Sequence, residues 1–245
     1  MLSAIIITHN EELDLPGCLD SLKGLAQEVV VVDSGSTDRT REVATACGAR
    51  VFHRDWPGYG PQKQFALEQA TGEWVINVDA DERVTPALAE EIKRILSQEA
   101  LPNGYSIPFR LFFLERRLRF CRWGKEFHVR LFRRDKASYP GQAVHEGISV
   151  LPPLGRLKNC IDHHSTRSFS EYLKKCEEYT ALLAGQKRAK GVRFSAWMHL
   201  RLPWEFFVRY VLKGGFLDGN VGLVYAVLSA TYAWLKHVRL LEERE

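Results

Sequence analysis

Two short stretches in the first third of the chain set carboxylates beside small residues, and their side chains limit the chemistry open to them. Asp79-Ala80-Asp81 places two carboxylates directly after an apolar run. At the end of an extended segment the two point differently, so Asp81 can reach a divalent cation, Mg2+ or Mn2+, while Asp79 meets a ribose. A cation held there neutralises charge on a departing diphosphate. The second stretch, Val29-Val30-Val31-Val32-Asp33-Ser34-Gly35-Ser36-Thr37-Asp38, delivers Asp33 at the end of a β-branched run. Small residues leave the backbone there accessible, and a carboxylate can accept a hydrogen bond from the imide N–H of a pyrimidine. Each stretch also has an ordinary structural reading: solvated strand-end carboxylates before helix capping at Thr85-Pro86, and turn or N-cap duty for Asp33 and Asp38. For Asp38 we take the capping role. No Gly-x-Gly-x-x-Gly follows either run and no Gly-Lys-Ser/Thr loop is present, which excludes the nicotinamide dinucleotide and P-loop motifs.

Strands must carry these groups to one place. Leu2–Thr8 and Glu28–Val32 are short apolar runs bounded by turn chemistry, as buried parallel strands require. Between them Leu15, Cys18, Leu19 and Leu22 recur at helical spacing, giving βαβ architecture. A third strand is expected at Arg50–His53, a helix at Gln62–Ala70, a turn at Thr71-Gly72 and a fourth strand at Glu73–Val78. The result is an open α/β sheet with helices on both faces, in which ligands bind beyond the carboxyl ends of the strands. Three of these ends are polar, Thr8–Glu11, Asp33–Ser36 and Asp79–Glu82, and should converge on one crevice. From Tyr105 to Ile161 apolar and basic residues alternate among scattered Pro and Gly, which reads as shorter strands and loops suited to acceptor recognition. Beyond Ser168 the pattern is helical: Glu171–Lys190, a segment opened by Pro203, then Gly222–Leu240.

Ile5-Ile6-Ile7-Thr8-His9-Asn10-Glu11, Val32-Asp33-Ser34-Gly35-Ser36-Thr37-Asp38 and Asp79-Ala80-Asp81-Glu82, in this order and spacing, resemble the inverting family 2 glycosyltransferases. Arg130-Leu131-Phe132-Arg133, Val144-His145-Glu146 and Gly215-Phe216-Leu217-Asp218-Gly219 are similar to the lipopolysaccharide core β-1,4-glucosyltransferase subgroup, and the likeness covers nearly the whole chain. It implies a GT-A type nucleotide-sugar-binding sheet over residues 1–165, divided into a nucleotide half (1–100) and an acceptor half (101–165), with a helical extension over 166–245. Thr8 and Glu11 would border the nucleoside, Asp33 bind uracil, Asp79 face the ribose, Asp81 hold the metal and Lys63 approach the base or diphosphate. Lys63 has an alternative place on the solvated face of its helix.

Inverting displacement needs a general base for the acceptor hydroxyl, and Glu146 occupies the position this family uses. The Glu-Asp pair common in family 2 is not present there, and a salt-bridged loop glutamate is the competing reading. His145 would orient Glu146 or bind phosphate. In Asp162-His163-His164-Ser165 the subgroup's His-x-Ser pattern selects His163 as a metal or diphosphate contact, against helix capping. Arg130 and Arg133, with Arg134 beside them, suit phosphate on a lipid-linked acceptor, or form a solvated strand edge. Trp123 either stacks on a sugar or packs.

The 245 residues, 45% hydrophobic, allow one substantial core with an appendage, and a net charge of +4 with no Lys/Arg run argues against nucleic acid. Five scattered cysteines without a Cys-x-x-Cys pair read as reduced thiols of a cytoplasmic protein, and Leu2–Thr8 running into His9-Asn10-Glu11-Glu12 lacks the order of a signal peptide. Gly219–Leu235 is short of the ~20 apolar residues of a spanning helix. Phe194, Trp197, Trp204, Phe206, Phe207 and Tyr210, interleaved with arginines, suit either an anionic membrane surface or a helical subdomain packed on the sheet or a second subunit. The expected partners are therefore a UDP-sugar donor, a lipid-linked saccharide acceptor, the inner membrane surface and, if the helices pair, an oligomer. A polyprenyl-phosphate acceptor, a non-catalytic docking module of the same fold and a nucleotidyltransferase are the competing functions.

Overall fold

The apolar runs become the buried middle of a sheet. The computed structural model describes residues 1–121, 127–140 and 147–242. Its first elements are β1 (Leu2–Thr8), α1 (Leu15–Leu22), β2 (Glu28–Asp33), α2 (Thr40–Ala46), β3 (Arg50–His53), α3 (Tyr59–Gln69) and β4 (Trp74–Asn77). They build a parallel set in the order β3-β2-β1-β4. Because successive side chains leave a strand on opposite faces, Ala4 and Ile6 of β1 join one core with Val31, while Ile5 joins another with Val30 and Val32. Helix α1 covers the first face through Leu15, Cys18, Leu19 and Leu22, and α3 covers the second through Ala66 and Leu67. Helices on both faces follow from strands whose central positions are apolar on both sides.

The next elements are β5 (Glu82–Val84), α4 (Pro86–Leu96), β6 (Gly104–Phe113), β7 (Arg116–Leu118), β8 (Phe127–Arg133), the paired β9 (Ala137–Ser138) and β10 (Ser149–Val150), β11 (Leu154–Arg156) and β12 (Ile161–Thr166). The sheet continues as β4-β8-β6-β12-β5, with β8 antiparallel to both β4 and β6 and β12 antiparallel to β5. It is thus a mixed sheet, parallel from β3 to β4 and antiparallel at β8 and between β12 and β5. Thr85 caps α4 by accepting a hydrogen bond from Leu88 N at 3.3 Å, with Pro86 in the first turn.

The chain forms two compact units. The first runs Met1–Phe109 and from Phe127 to His163; the second takes Arg110 to Cys121 and everything described from His164 onward. This division differs from a boundary at 165, and packing explains it. Leu111, Phe113 and Leu118, on the end of β6 and on β7, form a separate cluster with Tyr172, Val221, Tyr225 and Leu228. Those partners lie on α5 (Phe169–Ala189) and α7 (Gly219–Val238); α6 (Arg201–Phe207) belongs to the same unit. Helix α5 is capped by Ser168, which accepts from Glu171 N at 3.1 Å, and Tyr172 donates to the Leu228 carbonyl at 2.8 Å.

Glu91 of α4, 6% exposed, anchors the segment leading into β12. It accepts hydrogen bonds from Lys158 N at 3.0 Å, Asn159 N at 2.9 Å and Asn159 Nδ2 at 2.9 Å. Burial opposes its charge, but these donors outweigh burial and hold its carboxyl below the usual glutamate range. Glu91→Ala should therefore cost about 2 to 3 kcal/mol in urea denaturation. A lowered folded pKa gives stability that is fully present above the ordinary glutamate value and lost as pH falls through the lowered one. The gap between wild type and variant should accordingly shrink on acidification below that range, and a pH-independent gap would refute the ionic anchor.

Candidate active site

At the ends of β1 and β2, Thr8 lies in register with Asp33 and its hydroxyl donates to Asp33 Oδ2 at 3.2 Å. Asp33 is fully enclosed, and its Oδ1 accepts from Gly35 N at 3.1 Å and Ser36 N at 2.9 Å. The Ser36 hydroxyl also donates to Oδ2. Closing this turn puts Gly35 at φ +90°, which favours glycine. The two loops are laced together: Asn10 N donates to Ser36 Oγ at 2.8 Å, Glu11 N to Thr40 Oγ1 at 2.7 Å, Glu12 N to Asp38 Oδ2 at 3.1 Å, and Thr37 N to Asn10 Oδ1 at 2.8 Å. Asp38 also accepts from Thr40 N at 3.0 Å, a turn contact rather than the expected N-cap, since Arg39 is the residue that precedes α2.

Beyond β4 the carboxylates meet cations. Asp79 is gripped by Lys63 Nζ at 2.9 Å on one oxygen and by Arg130 Nη2 at 2.8 Å on the other. Arg130 also reaches Glu82 at 2.5 Å, and Glu82 accepts from Asp79 N at 2.9 Å. Glu82 is 2% exposed. Burial pushes its carboxyl up to about 7, with the charge of Asp79 adding to the rise and Arg130 opposing it. Burial works the same way on Asp79, but Arg130 and Lys63 overcome it and keep Asp79 ionised well below the carboxylate range. Asp81 meets His163 Nε2 at 3.3 Å, because β12 sets His163 in register with Glu82. Burial disfavours a charged His163, but the hydrogen bond and charge of Asp81 prevail and raise its pKa.

Thr8, Asp33, Lys63, Asp79, Asp81 and His163 thus lie in one unit, at or just past strand ends or, for Lys63 and His163, within α3 and β12. Glu11 belongs to the loop after β1, where its carbonyl accepts from Leu15 N at 2.9 Å at the start of α1. Lys63 is 6% exposed, so it is not on a solvated helix face. Two arginine expectations need correction. Arg130 is neither open to an acceptor nor a solvated edge, since its guanidinium is engaged by Asp79 and Glu82. Arg133 does not join the site: it pairs in register with Trp74 at the amino end of β4, with its guanidinium on Glu73 and 4.9 Å from the Trp74 ring centroid. Strand alternation gives His164 a different partner from His163, Glu115 at 3.3 Å. Glu146, His145 and Trp123 lie outside the described residues. Glu82 was missed as a site residue, although a third acid directly after Asp79-Ala80-Asp81 was the available signal.

Asp81 Oδ2 and His163 Nε2 are bonded to each other, so Mg2+ or Mn2+ on Asp81 would replace that contact and would need diphosphate or water to complete its shell. No cluster of three such side chains occurs among the described residues.

The parallel β3-β2-β1-β4 half, with carboxylates beyond its strand ends and antiparallel strands continuing the sheet, defines a GT-A type fold. Solved structures share it. TarS 1–349 of S. aureus superposes with a TM-score of 0.53 at 17% identity, covering 98% of this chain and 88% of that one. The same protein in complex with UDP-GlcNAc gives 0.54 at 17% identity, covering 95% and 81%. The model of glycosyl transferase family 2 matches residues 3–145. The lipopolysaccharide core biosynthesis glycosyltransferase LpsC of Rhizobium meliloti is 33% identical over 251 residues, 96% of this chain and 93% of its own length. An uncharacterised glycosyltransferase of Rickettsia typhi is 27% identical over 256 residues, 100% of this chain and 87% of its own. The chain belongs to glycosyl transferase family 2 and is a transferase enzyme.

The buried Arg130 gives a measurable consequence. Arg130→Met should destabilise the protein by about 3 to 5 kcal/mol, because it leaves Glu82 buried without its cation. Adding Glu82→Leu removes that charge, and chemical denaturation should show recovery of a large part of the loss. Equal losses in the single and double variants would mean that the pair is not coupled.

Proposed function

We propose that this glycosyltransferase moves a hexose, glucose from UDP-glucose, with inversion onto an inner-core sugar of lipopolysaccharide or a similar lipid-linked saccharide at the inner face of the cytoplasmic membrane. The observation that carries the reading is the placing of Asp33 at the end of β2 and of Asp79 and Asp81 just past β4, the two strands that flank β1, with Lys63 held against Asp79. The likeness to LpsC supports the acceptor class. In this reading Thr8 and Glu11 border the nucleoside, Asp33 accepts from the uracil imide, Asp79 turns to the ribose, and Lys63, released from Asp79, meets the diphosphate.

Asp81, with His163 beside it, would hold a divalent cation, which supplies neutralising charge at the diphosphate when bound. The acceptor oxygen attacks the anomeric carbon opposite the leaving UDP, and its proton passes to Glu146. His163 fixes the rotamer of Asp81, and Arg130 fixes that of Asp79 without touching the sugar. Phe109 lies under the Arg130 guanidinium, 5.3 Å from it, and shields that ion pair from water.

UDP release from UDP-glucose with Mn2+ and purified core acceptor tests the reading. Asp81→Asn should lower kcat/KM roughly a thousandfold while UDP binding without metal persists. Glu146→Gln should cost about 10²- to 10⁴-fold on a sugar-hydroxyl acceptor. Full activity of Glu146→Gln would favour a polyprenyl-phosphate acceptor, which needs no strong base. Absence of UDP release with any donor, despite tight UDP binding, would overturn the transfer assignment; pyrophosphate release from a nucleoside triphosphate would indicate nucleotidyl transfer.

A further inference from the structure

Away from the cluster of Leu111, Phe113 and Leu118, part of the second unit's helical surface has its burial reversed. From Trp197 the exposed apolar residues Leu200, Trp204, Phe207 and Val211 recur every three or four positions, the spacing of one helix face. Trp197 is 79% exposed and Trp204 57%. The residue this stretch encloses is instead charged: Glu205 is 8% exposed and paired with Arg201 at 2.7 Å and with Arg209. Helix α7 behaves alike. It buries the small residues Gly222, Ala226, Ala230 and Ala233 and exposes Leu223, Val224 and Val227. Contact along that small stripe is tight, since a Cβ on Gly222 would come within 1.9 Å of the Gly215 carbonyl oxygen. In water, a helix puts large apolar groups inside and charges outside. Small residues at the helix contact with large apolar ones outward is the arrangement of helices whose surroundings are lipid.

Shape and charge narrow the occupant. No single described helix is long and apolar enough to span a bilayer, and the arms Ala196–Leu212 and Gly215–Leu241 are bent by 70° at their junction. Leu212, Phe216 and Leu217 are more than half exposed around that bend. Between residues 185 and 240 nine Lys and Arg face two acids, Glu205 and Asp218. Both acids are engaged, Asp218 by the backbone N–H groups of Arg119 and Phe120. The surplus is cationic, so it complements anionic headgroups.

We infer that the bent pair is a monotopic wedge that inserts its apolar residues into one leaflet of an anionic membrane. This sharpens the membrane part of the reading above, and it is tested without donor or acceptor, so that a failure of transfer and a failure of docking are separable. The full chain should float with vesicles of phosphatidylcholine and phosphatidylglycerol and far less with phosphatidylcholine alone. Leu212→Glu combined with Leu217→Glu should reduce partitioning roughly a hundredfold, with the circular dichroism spectrum and UDP affinity unchanged. Tryptophan fluorescence should be quenched more by lipid brominated near the headgroup than by lipid brominated at the chain ends, and Trp197→Phe with Trp204→Phe should remove most of that quenching. Three results would overturn the wedge: no flotation with any vesicle, equal flotation of the double glutamate variant, or stronger quenching from the chain ends. A dimer in lipid-free solution that the same glutamates dissolve, without vesicle binding, would assign the surface to a second copy instead.

Discussion

The parallel half of this sheet is tied together by how one half-buried carboxylate is kept ionised between two cations. Asp79 sits just past β4 with a cation on each oxygen, and those cations come from opposite directions in the sequence, Lys63 on α3 and Arg130 on β8. Without them, burial would favour the neutral acid. Holding Asp79 therefore fixes α3 over one face and β8 beside β4, and Glu82 is drawn in as a counter-charge for Arg130.

Much of this was legible from residue types. Runs rich in β-branched residues mark strands buried on both faces, and the polar segments that end them mark where the carboxylates of the site stand. The helix over Gln62–Ala70 was placed correctly but begins earlier, at Tyr59, because Gly58 at φ +111° and the aromatic pair Trp56 and Tyr59, 4.6 Å apart, set its entry. What could not be read was pairing across the middle of the sheet. Arg130 and Arg133 look alike in sequence. They differ by one pleat and half a strand, and only the register of β8 on β4 decides that one meets Asp79 and the other Glu73. The chemistry of long-range ion pairs resides in strand order, which no local pattern encodes.

The boundary between units was obscured for a similar reason. β6 is one continuous strand with alternating burial, so its sequence carries no break, yet its last residues pack with α5 and α7. In the helices beyond, the sequence showed many aromatics and bases but left open whether the apolar side faces the protein. That answer is three-dimensional: it comes from seeing Glu205 enclosed and Trp197 and Trp204 uncovered.

Asp33 shows what a fully satisfied pocket costs in recognition. Its oxygens already receive hydrogen bonds from Thr8, Gly35 and Ser36, so a base that binds there must displace a hydroxyl rather than fill an open position. Such an exchange trades one hydrogen bond for another and yields little net free energy. On the proposed reading the resting protein competes for its own nucleotide site, and the base would serve mainly to align the donor. On that reading tightness would come from the diphosphate end, and selectivity among bases would be looser than the number of polar groups around Asp33 suggests.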